Sequence, residues 1–248
     1  MELPADLRTR LEGLRSLGVI TGAGISAESG IPTYRGIGGI YADRARGAEI
    51  VESLSGPTLQ TDPERTWRAI ADLAQHAGPA QPNAGHRALV EIESKLDRFV
   101  LLTQNVDGLH GAAGSENVIP VHGSIHVARC DHCGHEATID PATTTASPAC
   151  MRCGAPMRPG VVLFGEMLPH DVVRRMDREF AVNPPEALLV VGTSALFPYI
   201  AGPVLEARRH GRLTIEVNPG RTDLSDVVEY HLEGGAGTYL PLIAQALR

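Results

Sequence analysis

Apolar positions along this chain follow two patterns. Short continuous apolar runs at residues 18–21, 99–103, 117–121, 187–191 and 213–217 read as strands covered on both faces. Between them lie longer stretches with helical spacing, at 5–17, 63–76, 84–96, 170–181, 201–210 and 239–247. In the first of these, Leu7, Leu11, Leu14 and Leu17 recur on one face and predict a core stripe. Asp62-Pro63 predicts a helix start, with an N-cap side chain followed by proline at the first helical position. Strands alternating with helices predict an α/β fold on a parallel sheet.

The strand ends carry the candidate chemistry. The first strand runs into Gly22-Ala23-Gly24-Ile25-Ser26-Ala27 and the second into Gln104-Asn105-Val106-Asp107. The third ends at His122-Gly123, the fourth at Gly192-Thr193-Ser194 and the fifth at Asn218-Pro219-Gly220. Open α/β sheets bind ligands in the crevice outside these carboxyl ends, so five polar or small endings predict a ligand site. The first ending matches G-x-G-x-x-A, whose glycines permit a tight turn and close approach of backbone N–H groups to a pyrophosphate. A plain strand-to-helix turn explains the same residues. No acidic residue ends a second strand about 20 positions on, which counts against an ordinary dehydrogenase. Asp43 has the distance but follows the glycine-rich stretch 36–41. His122 suits general-base work near neutral pH, or a structural hydrogen bond. Asn105 and Asp107 read as ligand contacts or as turn formers. Residues 160–166 read as a short extended edge or as core followed by a turn.

The four cysteines are Cys130, Cys133, Cys150 and Cys153, two C-x-x-C pairs separated by residues 134–149. That spacing predicts a closed tetrahedral Zn2+ site, structural in role because no position is left for water. Two disulfides are the alternative, and they need an oxidising compartment. His132 or His135 as a ligand is a further one. The first residues lack a basic region followed by an apolar one, so a cytoplasmic protein is expected.

Composition narrows the class. At 248 residues the chain is long enough to bury a full core. A net charge of −7 argues against a nucleic-acid-binding face. No apolar run approaches the ~20 residues that span a bilayer, so no membrane partner is expected. No assembly element is evident, and a monomer is compatible with that.

Taken together, the ordered motifs resemble the sirtuins. Residues 22–32 with Tyr34-Arg35-Gly36 resemble that family's cofactor-binding opening, and residues 103–110 resemble its second motif. His122-Gly123, the cysteine pairs, residues 159–166, Gly192-Thr193-Ser194 and Val217-Asn218-Pro219 follow in the family's order, from about residue 12 to the C-terminus. The resemblance implies a Rossmann-like large lobe, here 1–36, 83–125 and 159–248. It also implies a small lobe formed by a zinc ribbon, 126–158, and a helical insertion with a cofactor loop, 37–82.

The implied activity is NAD-dependent removal of acyl groups from lysine in proteins or peptides, with NAD consumed to nicotinamide and O-acyl-ADP-ribose. An ADP-ribosyltransferase or NAD hydrolase on the same fold is the nearest alternative, and a non-enzymatic zinc-ribbon module is a more distant one. By the resemblance, Gly22, Ala23, Gly24, Glu28, Thr33, Tyr34, Arg35 and Tyr41 contact NAD. Gln104, Asn105, Val106 and Asp107 line the ribose and nicotinamide pocket. Gly192, Thr193, Ser194, Asn218, Pro219, Gly220 and Ala236 hold the adenosine half. His122 is the general base and Asn105 orients ribose or a water. Val162, Phe164, Gly165 and Glu166 pair with the substrate backbone as an added strand. Many members carry Phe at the position of Tyr34.

Sirtuins that remove acidic acyl groups carry a Tyr-x-x-Arg pair on the small-lobe helix. The corresponding helix, near 62–76, has no tyrosine; the registration places Ile70 and Leu73 there and implies a neutral acyl group. Tyr41 and Arg44 have the spacing but fall in the cofactor loop. Arg65 or Arg68 would reach the tunnel in a shifted register.

Overall fold

In the computed structural model, which describes residues 2–33 and 43–247, all five apolar runs are strands. The chain begins with helix α1 (Ala5–Glu12), strand β1 (Ser16–Thr21) and a 3-10 segment, Ala23–Ser29. Helices α2 (Arg44–Ser53), α3 (Gly56–Thr61), α4 (Pro63–Ala77) and α5 (Ala84–Lys95) follow. Then come strand β2 (Arg98–Thr103), helix α6 (Leu109–Ala113), and strands β3 (Val118–Pro120), β4 (Gly123–Arg129), β5 (Glu136–Thr138) and β6 (Arg158–Val161). Helix α7 (His170–Met176) continues into a π-helical turn, Asp177–Val182. The chain closes with β7 (Ala187–Val191), α8 (Pro198–Arg209), β8 (Leu213–Asn218), β9 (Tyr230–Glu233) and α9 (Ala236–Ala246).

Six strands form one parallel sheet in the order β3-β2-β1-β7-β8-β9. Because side chains alternate across a strand, the apolar runs feed two cores. Leu17, Val19, Leu101, Leu189 and Ile215 pack with Leu7 and Leu11 of α1, Leu89 of α5 and Leu240 of α9. Ile20, Val100, Leu102, Leu188 and Val190 pack on the other face with Met176, Phe180 and Val204. Gly18 is small for a reason: a Cβ there would lie 2.6 Å from Leu188 and 2.9 Å from the Phe180 ring. The sheet is therefore covered on both faces, as continuous apolar strands require. Order reverses at β1, whose neighbours are β2 and β7, and this switch point opens a crevice at the strands' carboxyl ends.

A second, antiparallel sheet, β5-β4-β6, joins the cysteine segment to the rest of the chain. Helix α4 starts as its sequence dictates: the Asp62 side chain accepts from the Arg65 N–H and Pro63 opens the helix. Its Trp67, fully buried, packs on Ala128, Cys130, Cys150 and Met157. One turn later Ile70 packs on Leu54 and Leu163.

Several boundaries differ from the expectation. The first helix stops at Glu12 because Gly13 caps it, and Leu17 belongs to β1. Strand β9 has no apolar run, since it is a short edge strand with alternating Tyr230-His231-Leu232-Glu233. Helix α6 was not expected, and α2 and α3, which fall inside the helical insertion implied by the resemblance, were not among the stretches read from helical spacing. The glycine-rich stretch 36–41, with Tyr34, Arg35 and Tyr41, lies outside the described residues. Among the described residues, no helix is long and apolar enough to cross a membrane.

Candidate functional site

The two strand-end turns at the switch point touch. The Gly22 N–H donates to the Val191 carbonyl at 3.1 Å and the Gly24 N–H to the Gly192 carbonyl at 2.8 Å. A Cβ on Gly24 would sit 2.6 Å from the Gly192 Cα, so only glycine fits. This refines the expectation. These glycines let two backbones meet, and their own N–H groups are already satisfied inside the protein.

Polar side chains from four strand ends form two hydrogen-bonded chains beside that contact. Gln104 donates from Nε2 to the Thr193 hydroxyl at 2.8 Å, and Asn218 donates to the Thr193 carbonyl at 3.1 Å. Asn105 donates from Nδ2 to the Gly22 carbonyl and to Ser26 Oγ, both at 3.1 Å. Ser26 in turn donates to Asp107 at 2.7 Å, and the other Asp107 oxygen accepts from the Leu109 N–H at 2.9 Å. A cavity of about 270 Å³ opens beside Asn105, Asp107 and Gly123. Ser194, Pro219 and Gly220 are exposed at the rim, and Ala236 is buried at the start of α9. Ala23 and Thr33 are half-buried, and the Val106 carbonyl accepts from Ile125. Glu28 is exposed and accepts the Gly237 N–H at 2.9 Å, which makes it a cap for α9.

His122 is held at both ring nitrogens. Nδ1 lies 2.9 Å from the Gln104 carbonyl oxygen, which can only accept, so Nδ1 carries the proton. Nε2 is then the lone-pair nitrogen, and it lies 2.9 Å from the Tyr199 hydroxyl, which must donate. Burial pushes the His122 pKa below the ordinary histidine value, with the Gln104 carbonyl acting weakly the other way. The ring is therefore neutral at pH 7 and can accept a proton at Nε2.

Behind the network, Thr21 donates to Thr103 at 2.8 Å and contacts His110 Nε2 at 2.9 Å. Burial, helped by His86, pushes the His110 pKa down to about 3. Asn83 caps α5 and donates to the Ile25 carbonyl at 2.7 Å, fixing the 3-10 segment from below. Sequence reading missed Asn83, although an asparagine just before a helical pattern is a readable N-cap. It missed Ser26 and Tyr199 too, whose partners are distant in sequence.

The four cysteine sulfurs all lie within 4.8 Å of one another, and none is disulfide-bonded. Cys130 and Cys153 sulfurs are 3.5 Å apart, and those of Cys133 and Cys150 are 3.6 Å apart. Tetrahedral zinc with bonds near 2.3 Å puts neighbouring sulfurs about 3.8 Å apart, so the donor set fits that ion. A disulfide sulfur pair at about 2.05 Å does not match. His135 enters only through its carbonyl, which accepts from the Cys130 N–H.

The segment after β6 is partly committed within the protein. The Phe164 N–H donates to the Leu54 carbonyl and its own carbonyl accepts from Gly56, so its backbone is not free to pair with another strand. The Val162 N–H donates to the His122 carbonyl and the Glu166 N–H to that of Leu163. Among the described residues, no hydrogen bond takes the Val162 carbonyl or the Gly165 backbone, and these are the groups an added strand could use. The Glu166 carboxylate receives both Arg158 guanidinium nitrogens, at 2.8 and 2.7 Å, and the Leu163 N–H at 2.9 Å. Ile70 and half-buried Leu73 line the apolar cluster beneath this segment.

The profile of the Sir2 family matches residues 22–197. An NAD-dependent protein deacylase 2 of Pseudomonas aeruginosa is 45% identical over 230 residues, covering 91% of this chain and 90% of that protein. An NAD-dependent protein deacylase 1 of Archaeoglobus fulgidus is 42% identical over 231 residues, covering 92% and 91%. Among solved structures, a Sir2 homologue in complex with NAD is 38% identical with a TM-score of 0.86, covering 98% of this chain and 93% of that one.

Proposed function

This chain belongs to the Sir2 family, and from that premise we propose that it is an NAD-dependent protein-lysine deacylase with His122 as its general base. The observation that carries the reading is the His122 ring. Its neutral form is favoured by burial, its tautomer is set by the Gln104 carbonyl, and its one lone pair, on Nε2, meets only a side-chain hydroxyl, that of Tyr199. Bound NAD would supply a ribose carbon open to the acyl oxygen once nicotinamide leaves, and ribose hydroxyls that take up the acyl group. His122 Nε2 would then accept the proton of one such hydroxyl.

The Gln104–Thr193–Asn218 chain and the Asn105–Ser26–Asp107 chain are the residues we assign to NAD. They are rigid because each side chain is bonded to a strand end. Ala23, Thr33, Tyr34, Arg35 and Tyr41 are proposed to complete that site. Acyl-lysine of a protein or peptide would enter over residues 162–166, using the Val162 carbonyl and the Gly165 backbone. Zn2+ on Cys130, Cys133, Cys150 and Cys153 would hold the small lobe and take no part in proton transfer. We divide the lobes at the boundaries expected from the sequence, with α2–α4 and the ribbon as the small lobe.

Nicotinamide release from NAD, measured with and without an acetyl-lysine peptide, tests the reading. Release that depends on the peptide is expected. Release at the same rate without peptide would identify an NAD hydrolase and overturn the assignment.

A further inference from the structure

A neutral imidazole offers one lone pair, and in this chain it is taken. With Nδ1–H on the Gln104 carbonyl, only Nε2 can accept, and the Tyr199 phenol donates to it at 2.9 Å. A substrate hydroxyl that gives its proton to His122 must stand at the same nitrogen. The two hydroxyls therefore exclude each other. The geometry points to Tyr199 as a displaceable cap on the base: its hydroxyl stands in for the ribose hydroxyl at His122 Nε2 and must leave before the base can act.

The local chain is built for such a departure. Tyr199 is the second residue of α8, at the end of the segment 195–199 that leaves β7. That segment carries Ala195 at φ 50, the one positive-φ residue other than glycine among the described residues. Such a conformation is costly for a side chain with a Cβ and clusters in segments that change shape. Leu196 and Phe197 after it are 50% and 43% exposed, between Ala195 and Ile200, which are buried in the core, so only the middle of the segment is lightly packed. The Phe197 ring stacks on Tyr199, with centroids 5.3 Å apart and planes at 13°, and edge-on to His122 at 6.1 Å. Phenol, stack and base form one aromatic cluster that a ligand must open from the exposed side.

This rests on His122 being the base that faces the ribose of NAD. ADP-ribose is the probe, because it carries the ribose hydroxyls and has no nicotinamide to lose, so binding is read without turnover. Calorimetry on the wild type, Tyr199→Phe, His122→Ala and the double variant closes a cycle. Tyr199→Phe keeps the stack and removes the cap, so ADP-ribose should bind about two- to tenfold tighter, the worth of one net hydrogen bond. In the His122→Ala background the same change should have no effect. Equal or weaker binding by Tyr199→Phe with His122 present would overturn the cap and leave the NAD site standing. No binding to either protein would overturn the NAD site and the cap with it. The wild type alone gives a second readout: saturation with ADP-ribose must move both the His122 Nε2 nitrogen resonance and the Tyr199 ring resonances. Tyr199 resonances that stay fixed on saturation would also overturn the cap.

Discussion

His122 and Gln104 are joined by a hydrogen bond from a side chain to a backbone, and it decides which ring nitrogen keeps its lone pair. The Nδ1–H donates to the Gln104 carbonyl at 2.9 Å, while the Gln104 side chain reaches the other way, to Thr193. One residue thus orients the His122 ring and ties the end of β2 to the end of β7. Replacing the Gln104 side chain would leave the carbonyl in place, so the tautomer is protected from mutation.

His122→Ala is expected to lower turnover by about 10²-fold or more, the usual scale of general-base catalysis. Affinity for ADP-ribose should change far less. The pH profile carries a sign. Burial lowers the folded pKa below 6.5, and the base works only when neutral, so the activity lost on acidification falls away below that value. A kcat/KM profile for the wild type whose acid limb sat at or above 6.5 would contradict the assignment.

Zinc removal should be visible in fluorescence. The chain has one tryptophan, Trp67, and it is fully buried against Cys130 and Cys150. Binding energy at a four-thiolate site is folding energy, so Cys150→Ala should lose metal and loosen the ribbon together. Tryptophan emission should move to the red, and activity should fall because α4 also carries Ile70 and Leu73. A metal-free protein with unshifted emission and normal rates would show that the ion is dispensable. Trp67→Ala, at about 3–5 kcal/mol for a buried aromatic, should mimic part of the loss with zinc still bound.

How much of this was legible depends on what a residue answers to. The five sheet strands were readable because burial on both faces forces continuous apolar runs. The cysteines were readable because four ligands at fixed spacing serve one ion. Strand β9 was not, since an edge strand with one solvated face has no such run. Gly22 and Gly24 stand out in the sequence as a ligand turn, and in the fold they also serve close backbone contact. Their need for no side chain comes from Gly192, which lies far along the chain. Tyr199 left no trace in periodicity or motif. Its meaning comes entirely from the partner that the fold puts beside it, 77 positions away.

The Arg158–Glu166 pair should control peptide binding separately from cofactor binding. It is bidentate and largely withdrawn from solvent, with the two side chains 15% and 24% exposed. Arg158 ends the ribbon, and Glu166 pins the Leu163 N–H and so the turn through Gly165. Arg158→Met would leave Glu166 half-buried without its partner and free that turn. KM for an acetyl-lysine peptide should rise about tenfold while ADP-ribose affinity stays within about twofold. Equal weakening of both ligands would mean the pair supports the fold as a whole.

The acyl group preferred should be neutral. We rest this on two residues of α4. Ile70 is 3% exposed and Leu73 is half-buried, and both lie in the cluster with Leu54 and Leu163 beneath the segment we assign to the substrate. The competing register would bring Arg65 or Arg68 to that cluster, and their partners argue against it. Arg65 donates to Ser53 at 3.1 Å and to Glu52 at 3.2 Å, and Arg68 pairs with Glu64 at 3.1 Å on the outer face of the helix. Reaching the acyl group would require either arginine to leave those contacts and cross to the apolar face. A succinyl carboxylate would then enter with no cation to meet it, and an unpaired buried charge is strongly disfavoured. Comparing kcat/KM for acetyl-, butyryl-, long-chain and succinyl-lysine peptides of one sequence checks this, with succinyl expected at the bottom by tenfold or more, about 1.4 kcal/mol. Leu73→Arg should raise the succinyl rate and lower the butyryl rate. Succinyl-lysine equal to the best neutral group in the wild type would show that a cation reaches the site after all.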